Sequence, residues 1–260
     1  MRTGNPVLKP ELFQGNFLDQ LQSSAATRST TMTVRGTAVK AGILVAMLAT
    51  SAVISVGLVR ANPQLQTPFI FGGFIGALAI AIVLAFKPTL SPFLAPVYAI
   101  VKGAAVGIIS VIYAEQFKTV NVGGVNLIGQ AVGLTVAVAG AIALGYSVGL
   151  LRLGGTAQKV VIGMTMGVML FYVAQIGLGL VGIPFLTSVH GSGMIGIGFS
   201  LVVIALASFN LIMDFQMAEE GAANGAPKYM EWYVGFGILV TLVWLYLEIL
   251  RLLSKLNSRN

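Results

Sequence analysis

The chain has 260 residues, of which 57% are hydrophobic and only 9% charged, with 32 glycines and a mean hydropathy of +0.92. A water-soluble domain carries about a quarter of its residues as charge to cover its surface, so this composition excludes one. It fits an all-α bundle that gives its outer face to lipid, and at roughly 20 apolar residues per span the length holds about six to eight transmembrane helices.

Residues 1–38 form a polar tail, with Gln14, Gln20, Ser23 and Ser24 ahead of a Thr-rich run from Thr27 to Thr33. No apolar stretch of signal-peptide length lies near Met1, so the first span is expected to act as an uncleaved insertion signal. Apolar windows follow at 41–59, 68–86, 93–114, 125–151, 160–181, 194–213 and 232–250, which makes seven spans. The resulting division is a tail over 1–38, a transmembrane domain over 39–253 and a short tail over 254–260. Turn and charge signals separate the windows: Arg60 with Asn62 and Pro63, Lys87 with Pro88, then 115–124, Arg152 to Lys159, 183–193 and Asp214 to Lys228. The fourth window is 27 residues long, enough to tilt or to begin as an interfacial segment near Asn126 and Gln130.

The formal net charge of +7 does not indicate nucleic acid, because the cations stand at span ends and not on one face with base readers. Nine Lys and Arg fall on the side of the N-terminal tail and five on the other. The positive-inside rule then places the N-terminus in the cytoplasm and the C-terminus outside. Glycine pairs four apart recur at Gly72 and Gly76, Gly103 and Gly107, Gly129 and Gly133, Gly145 and Gly149, and Gly163 and Gly167. In lipid such faces let helix backbones approach closely, and packing inside one bundle is their ordinary meaning.

The chain lacks cysteine, which excludes disulfides, thiolate metal sites and cysteine nucleophiles, and its single histidine, His190, leaves no multi-histidine metal site. The string from Gly191 to Gly196 matches G-x-G-x-x-G but opens a membrane helix after a loop, so no dinucleotide site is expected. The span hydroxyls, Ser200 and Ser208 among them, have no accompanying base or nucleophile elbow. Neither a catalytic activity nor a cofactor is expected, and no tightly bound metal.

Ionisable residues at membrane depth are more informative, because each costs roughly 2.5 to 3.5 kcal/mol at a helix centre on insertion scales. Lys102 falls near the middle of the third window; Asp214 closes the sixth; Glu231 opens the seventh and Glu248 lies near its other end. Seventeen residues separate Glu231 from Glu248, about 26 Å of helix, so they belong to opposite interfaces, where snorkelling to water is the ordinary expectation. Asp214 shares the tail's side with Glu231, has Lys87 and Lys228 available as counter-ions, and is preceded by Asn210 one turn earlier, a polar stripe reaching into the span.

The segment Phe209-Asn-Leu-Ile-Met-Asp214-Phe-Gln216, with the ending Trp244-Leu-Tyr-Leu-Glu-Ile-Leu-Arg251-Leu-Leu253, resembles the Bax inhibitor family, the YccA-like transmembrane BAX-inhibitor-motif proteins. The stretch from Ala226 to Tyr233 looks like a bacterial branch of it, and the likeness spans roughly residues 40 to 255. The resemblance implies a seven-transmembrane bundle in the bacterial inner membrane, with the last helix central between two groups of three. It also implies a pH-sensitive calcium leak governed by two aspartates on helices six and seven. Asp214 matches the first; alignment of the Leu-Arg-Leu-Leu ending puts Thr241 where the second should stand, so the paired sensor is not intact. Either Glu231 or Glu248 takes over the acidic role only in a different register, and Lys87 corresponds to the family's basic partner near the inner end of helix two.

Two classes of function follow. One is a calcium-permeable leak, whose hard oxygen ligands would come from Asp214, Asn210, Glu231 and Glu248. The other is a non-conducting regulator that binds other membrane proteins, such as a membrane-anchored protease, through the polar tail and the glycine faces. Lys102 opposes an easy cation path unless a carboxylate pairs with it.

Overall fold

The computed structural model describes residues 30–116, 126–181, 189 and 191–258; the tail before residue 30, Lys118 and His190 lie outside them. Seven helices follow in order: α1 Val34–Ala61, α2 Gln66–Phe86, α3 Ser91–Gln116, α4 Leu127–Ser147, α5 Gly155–Leu180, α6 Met194–Ala223 and α7 Met230–Asn257. Each is long and apolar enough to cross a membrane.

Local chemistry sets where they start and stop. Thr33 caps α1, its hydroxyl oxygen accepting the Gly36 N–H at 2.9 Å, so the helix begins well ahead of the apolar window at 41. Asn126 caps α4 in the same way through Gly129 at 2.8 Å. After Ser147 the chain turns at Gly149, whose φ of 78° suits glycine, and the Leu150 N–H bonds back to the Gly145 carbonyl at 2.9 Å. The long fourth window is therefore a 21-residue helix plus a turn, and no extra tilt is needed. The sixth window is the one that falls short. Helix α6 runs on through Gln216, Met217, Ala218 and Glu219, good helix formers, and stops only at Asn224 and Gly225, where φ is 66°. Asp214, expected at the end of the span, lies nine residues inside the helix.

Helix α7 packs against α1, α3, α4 and α6 and buries residues along its whole length, from Glu231 to Lys255. Helices α1 to α3 form one group on its flank, and α4 to α6 the other. In the first group the glycine faces do what small residues do in lipid. A Cβ added at Gly103 would lie 3.0 Å from the Leu48 carbonyl carbon, and one at Gly107 would lie 2.8 Å from the Ala52 Cα. The hydroxyls of Ser51 and Ser55 complete this seam by donating to the carbonyls of Ile100 (2.6 Å) and Ala104 (3.1 Å). Gly73 and Gly76 approach Ala105 and Val101 similarly. The stripe at Gly163 and Gly167 differs: nothing lies within 4 Å of a Cβ there, because α5 rests mainly on α6.

One end of the bundle is tied across the chain. The Met32 N–H donates to Ala226 O (2.7 Å), the Lys228 N–H to Thr30 O (2.9 Å) and the Ser91 hydroxyl to Tyr229 O (2.9 Å), while Arg152 pairs with Glu219 at 2.9 Å. The start of α1 and the connections α2–α3, α4–α5 and α6–α7 thus share one end, and successive helices alternate in direction. Reporter fusions placed after Arg60, Lys87, Lys159 and Lys228 are expected to show outside sidedness for the first and inside for the other three. A result with Lys87 and Lys228 on different sides would refute the seven-span topology.

Candidate functional site

Three carboxylates lie along α7, and the structure keeps them apart. At the tied end Glu231 is buried, with a side chain 2% exposed, and its Oε1 accepts from the Thr33 N–H (3.0 Å), the Thr33 hydroxyl (2.8 Å) and the Lys228 ammonium (2.8 Å). A Cβ at Gly36 would run into the Glu231 carboxylate, so glycine here leaves the carboxylate its place against Thr33. At the opposite end Glu248, 1% exposed, takes Arg251 Nη1 on Oε2 at 2.6 Å, and the Tyr172 hydroxyl of α5 bridges the two residues. Both glutamates were expected to reach water, and neither does. Each has a cation three residues away in sequence that pairs with one carboxylate oxygen and offsets its charge, while the other oxygen of Glu248 is buried without a hydrogen-bond partner.

Between them lies Asp214. Its Oδ2 accepts the Thr241 hydroxyl of α7 at 2.6 Å, and its Oδ1 rests over Gly237, where an added Cβ would stand 3.7 Å away. Thr241 is ten residues from Glu231 and seven from Glu248, about 15 Å and 10 Å along the helix, so neither glutamate shares a site with Asp214. The expected pairing with Lys87 or Lys228 is not formed. Lys228 is held by Glu231, Lys87 caps the end of α2, and among the described residues no Lys or Arg lies within ion-pair distance of Asp214.

Asn210 also departs from the expected stripe. Its amide turns away to α5, donating to the Thr165 hydroxyl at 2.8 Å and to its own Leu206 carbonyl at 2.9 Å. Lys102 meets no carboxylate either: it is half-buried, and its ammonium stands 4.1 Å over the ring of Phe74 on α2. Arg251 and Lys255, counted in sequence as topology-setting charges at the chain's end, are interior. The Lys255 ammonium donates to the carbonyls of Val189 and Gly196 and to the Ser200 hydroxyl, each at 2.9 Å. The spacing Glu248, Arg251, Lys255 puts three charges along one side of the end of a mostly apolar helix, and that pattern was the available signal.

Asp214 on α6 faces Thr241 on α7, and the whole-chain comparison gives the family: the family described as Bax inhibitor 1 like matches residues 5–258. The chain belongs to that family. No curated protein and no solved structure matches it. In this Bax inhibitor 1-like chain the residue of α7 that meets Asp214 is a threonine, so the α6–α7 contact is one carboxylate on one hydroxyl.

Proposed function

We propose that this protein is a pH-modulated calcium leak of the bacterial inner membrane, with its N-terminus cytoplasmic, in which the Asp214–Thr241 contact closes a path between α6 and α7. The observation that carries the reading is Asp214 itself: a carboxylate nine residues inside a spanning helix, held by one hydroxyl with no cation beside it among the described residues. Ionisable groups in spans are retained chiefly where they serve a pathway, and a carboxylate with free lone pairs is the hard oxygen ligand that calcium selects. Protonation converts the same oxygen from an acceptor of the Thr241 hydroxyl into a neutral acid, so proton and cation compete for one place. The reading assigns no catalysis and no cofactor.

Liposomes containing only this protein and a trapped calcium dye test it. Calcium entry that depends on the protein and changes with pH is expected. A protein-dependent entry rate equal to that of empty liposomes at every pH would overturn the leak and favour a second reading, a regulator that binds membrane partners such as a membrane-anchored protease. The outward pair Gly163 and Gly167 on α5, a small-residue face with nothing packed on it, is the feature that favours that alternative.

A further inference from the structure

Between α5 and α6 runs a cleft of about 630 Å³. Val161 and Met164 of α5 and Val202, Leu206 and Phe209 of α6 form its walls, and Thr156, near the start of α5, is the one polar side chain on it. Protein interiors are close-packed and tolerate few voids larger than a water, and an apolar void does not hold water. The cleft is also open sideways. Met164 is 48% exposed, Val202 51% and Phe209 43%, so it faces the hydrocarbon of the bilayer. Its occupant must therefore be apolar, slender and drawn from the membrane.

Two cations flank Thr156 in sequence, though neither lines the cleft. Lys159 lies one turn after Thr156, exposed and in no ion pair among the described residues, and Arg152 precedes α5 with its side chain 58% exposed. Glu219 already offsets Arg152, so Lys159 supplies the uncompensated cation. An apolar slot with a free ammonium one helical turn from its polar residue suits a lipid with an anionic headgroup. We propose that the α5–α6 cleft binds one acyl chain of an anionic phospholipid, whose phosphate is held by Lys159 with Arg152 beside it. The site is independent of the leak, since it lies on the far side of α6 from α7 and needs neither conduction nor a given orientation.

Photoreactive-acyl phosphatidylglycerol, present as a trace in phosphatidylcholine nanodiscs with the full chain, tests the site by mapping the labelled peptides. Labelling concentrated in 153–164 and 202–209 is expected. Unlabelled phosphatidylglycerol should compete several-fold better than phosphatidylcholine, and inorganic phosphate should not compete. Lys159→Gln combined with Arg152→Gln should erase the headgroup preference while labelling of the cleft persists. Ala205→Phe, a change at an exposed wall position, should remove labelling from the cleft and leave the rest of the helix belt as before. Labelling spread evenly over all helices, equal competition by the two lipids, competition by inorganic phosphate alone, or cross-links to a second copy through this face would each overturn the proposal.

Discussion

Asp214→Asn is expected to lower protein-dependent calcium entry by about tenfold or more and to flatten its pH response, with the helices still inserted. The substitution keeps the shape of the side chain, and its amide oxygen can still accept the Thr241 hydroxyl, so the α6–α7 contact survives. What disappears is the charge. The loss falls on the passing cation: two unit charges about 4 Å apart attract by roughly 4 kcal/mol at a protein-like dielectric, so losing even part of that attraction, at about 1.4 kcal/mol per decade, lowers entry by tenfold or more. Thr241→Val acts in the opposite sense, because it removes the hydroxyl that holds the carboxylate across the path, and it should raise the leak while the pH dependence stays. Thr241→Asp places two carboxylates face to face; the pair then shares a proton and titrates in coupled steps, so the pH profile should steepen. Calcium-dye flux from about pH 6 to about pH 8 on the three variants reads all of this. Equal rates and equal profiles for Asp214→Asn and the parent would sink the gating role.

Gly103→Ala and Gly107→Ala should be strongly damaging for single-methyl changes. The groups that a Cβ would strike at these positions are backbone atoms of Leu48 and Ala52 on α1, which have no rotamer into which to retreat. Forcing α1 away from α3 also lengthens the bonds from Ser51 and Ser55, so a loss of about 1–3 kcal/mol is expected for each, as for overpacking in a well-filled core. Gly163→Ala supplies the control. It adds the same methyl where nothing stands within 4 Å, and relieving a helical glycine should leave stability unchanged or raise it by up to about 1 kcal/mol. Thermal unfolding in detergent separates the two outcomes, and equal melting shifts at Gly103 and Gly163 would contradict the packing described.

The seven spans were readable because hydropathy is a property of consecutive residues, and a window of about 20 captures it. The small-residue seam of α1 and α3 was readable for the same reason, as a repeat within one helix. Side-chain partners were not. Glu231 was expected at the water interface because nothing near it in sequence shows that Thr33, 198 residues away, would donate twice to its carboxylate. Asp214 was expected at the end of its helix because the apolar window stops there, whereas the helix itself continues on residues that are polar yet favour helix. Its pairing with Lys87 or Lys228 followed from that misplaced depth. Once α6 extends to Ala223, the lysines remain near the rim while Asp214 lies about 14 Å further in.

The central place of α7 bears on how the molecule is made. Met230–Asn257 follows the other six described helices in the chain, yet it carries the residues on which both three-helix groups close. Chains fold from the N-terminal end as they emerge, so six helices reach the bilayer before the element that joins them exists. Until then Leu44, Leu84 and Ala207, all wholly buried in the finished protein, have only lipid or each other to pack against. The nascent bundle thus waits with an unfilled axis, and the clasp between Thr33 and Glu231 ties the start of α1 to the start of α7. The two groups therefore close on one another only when α7 has entered between them.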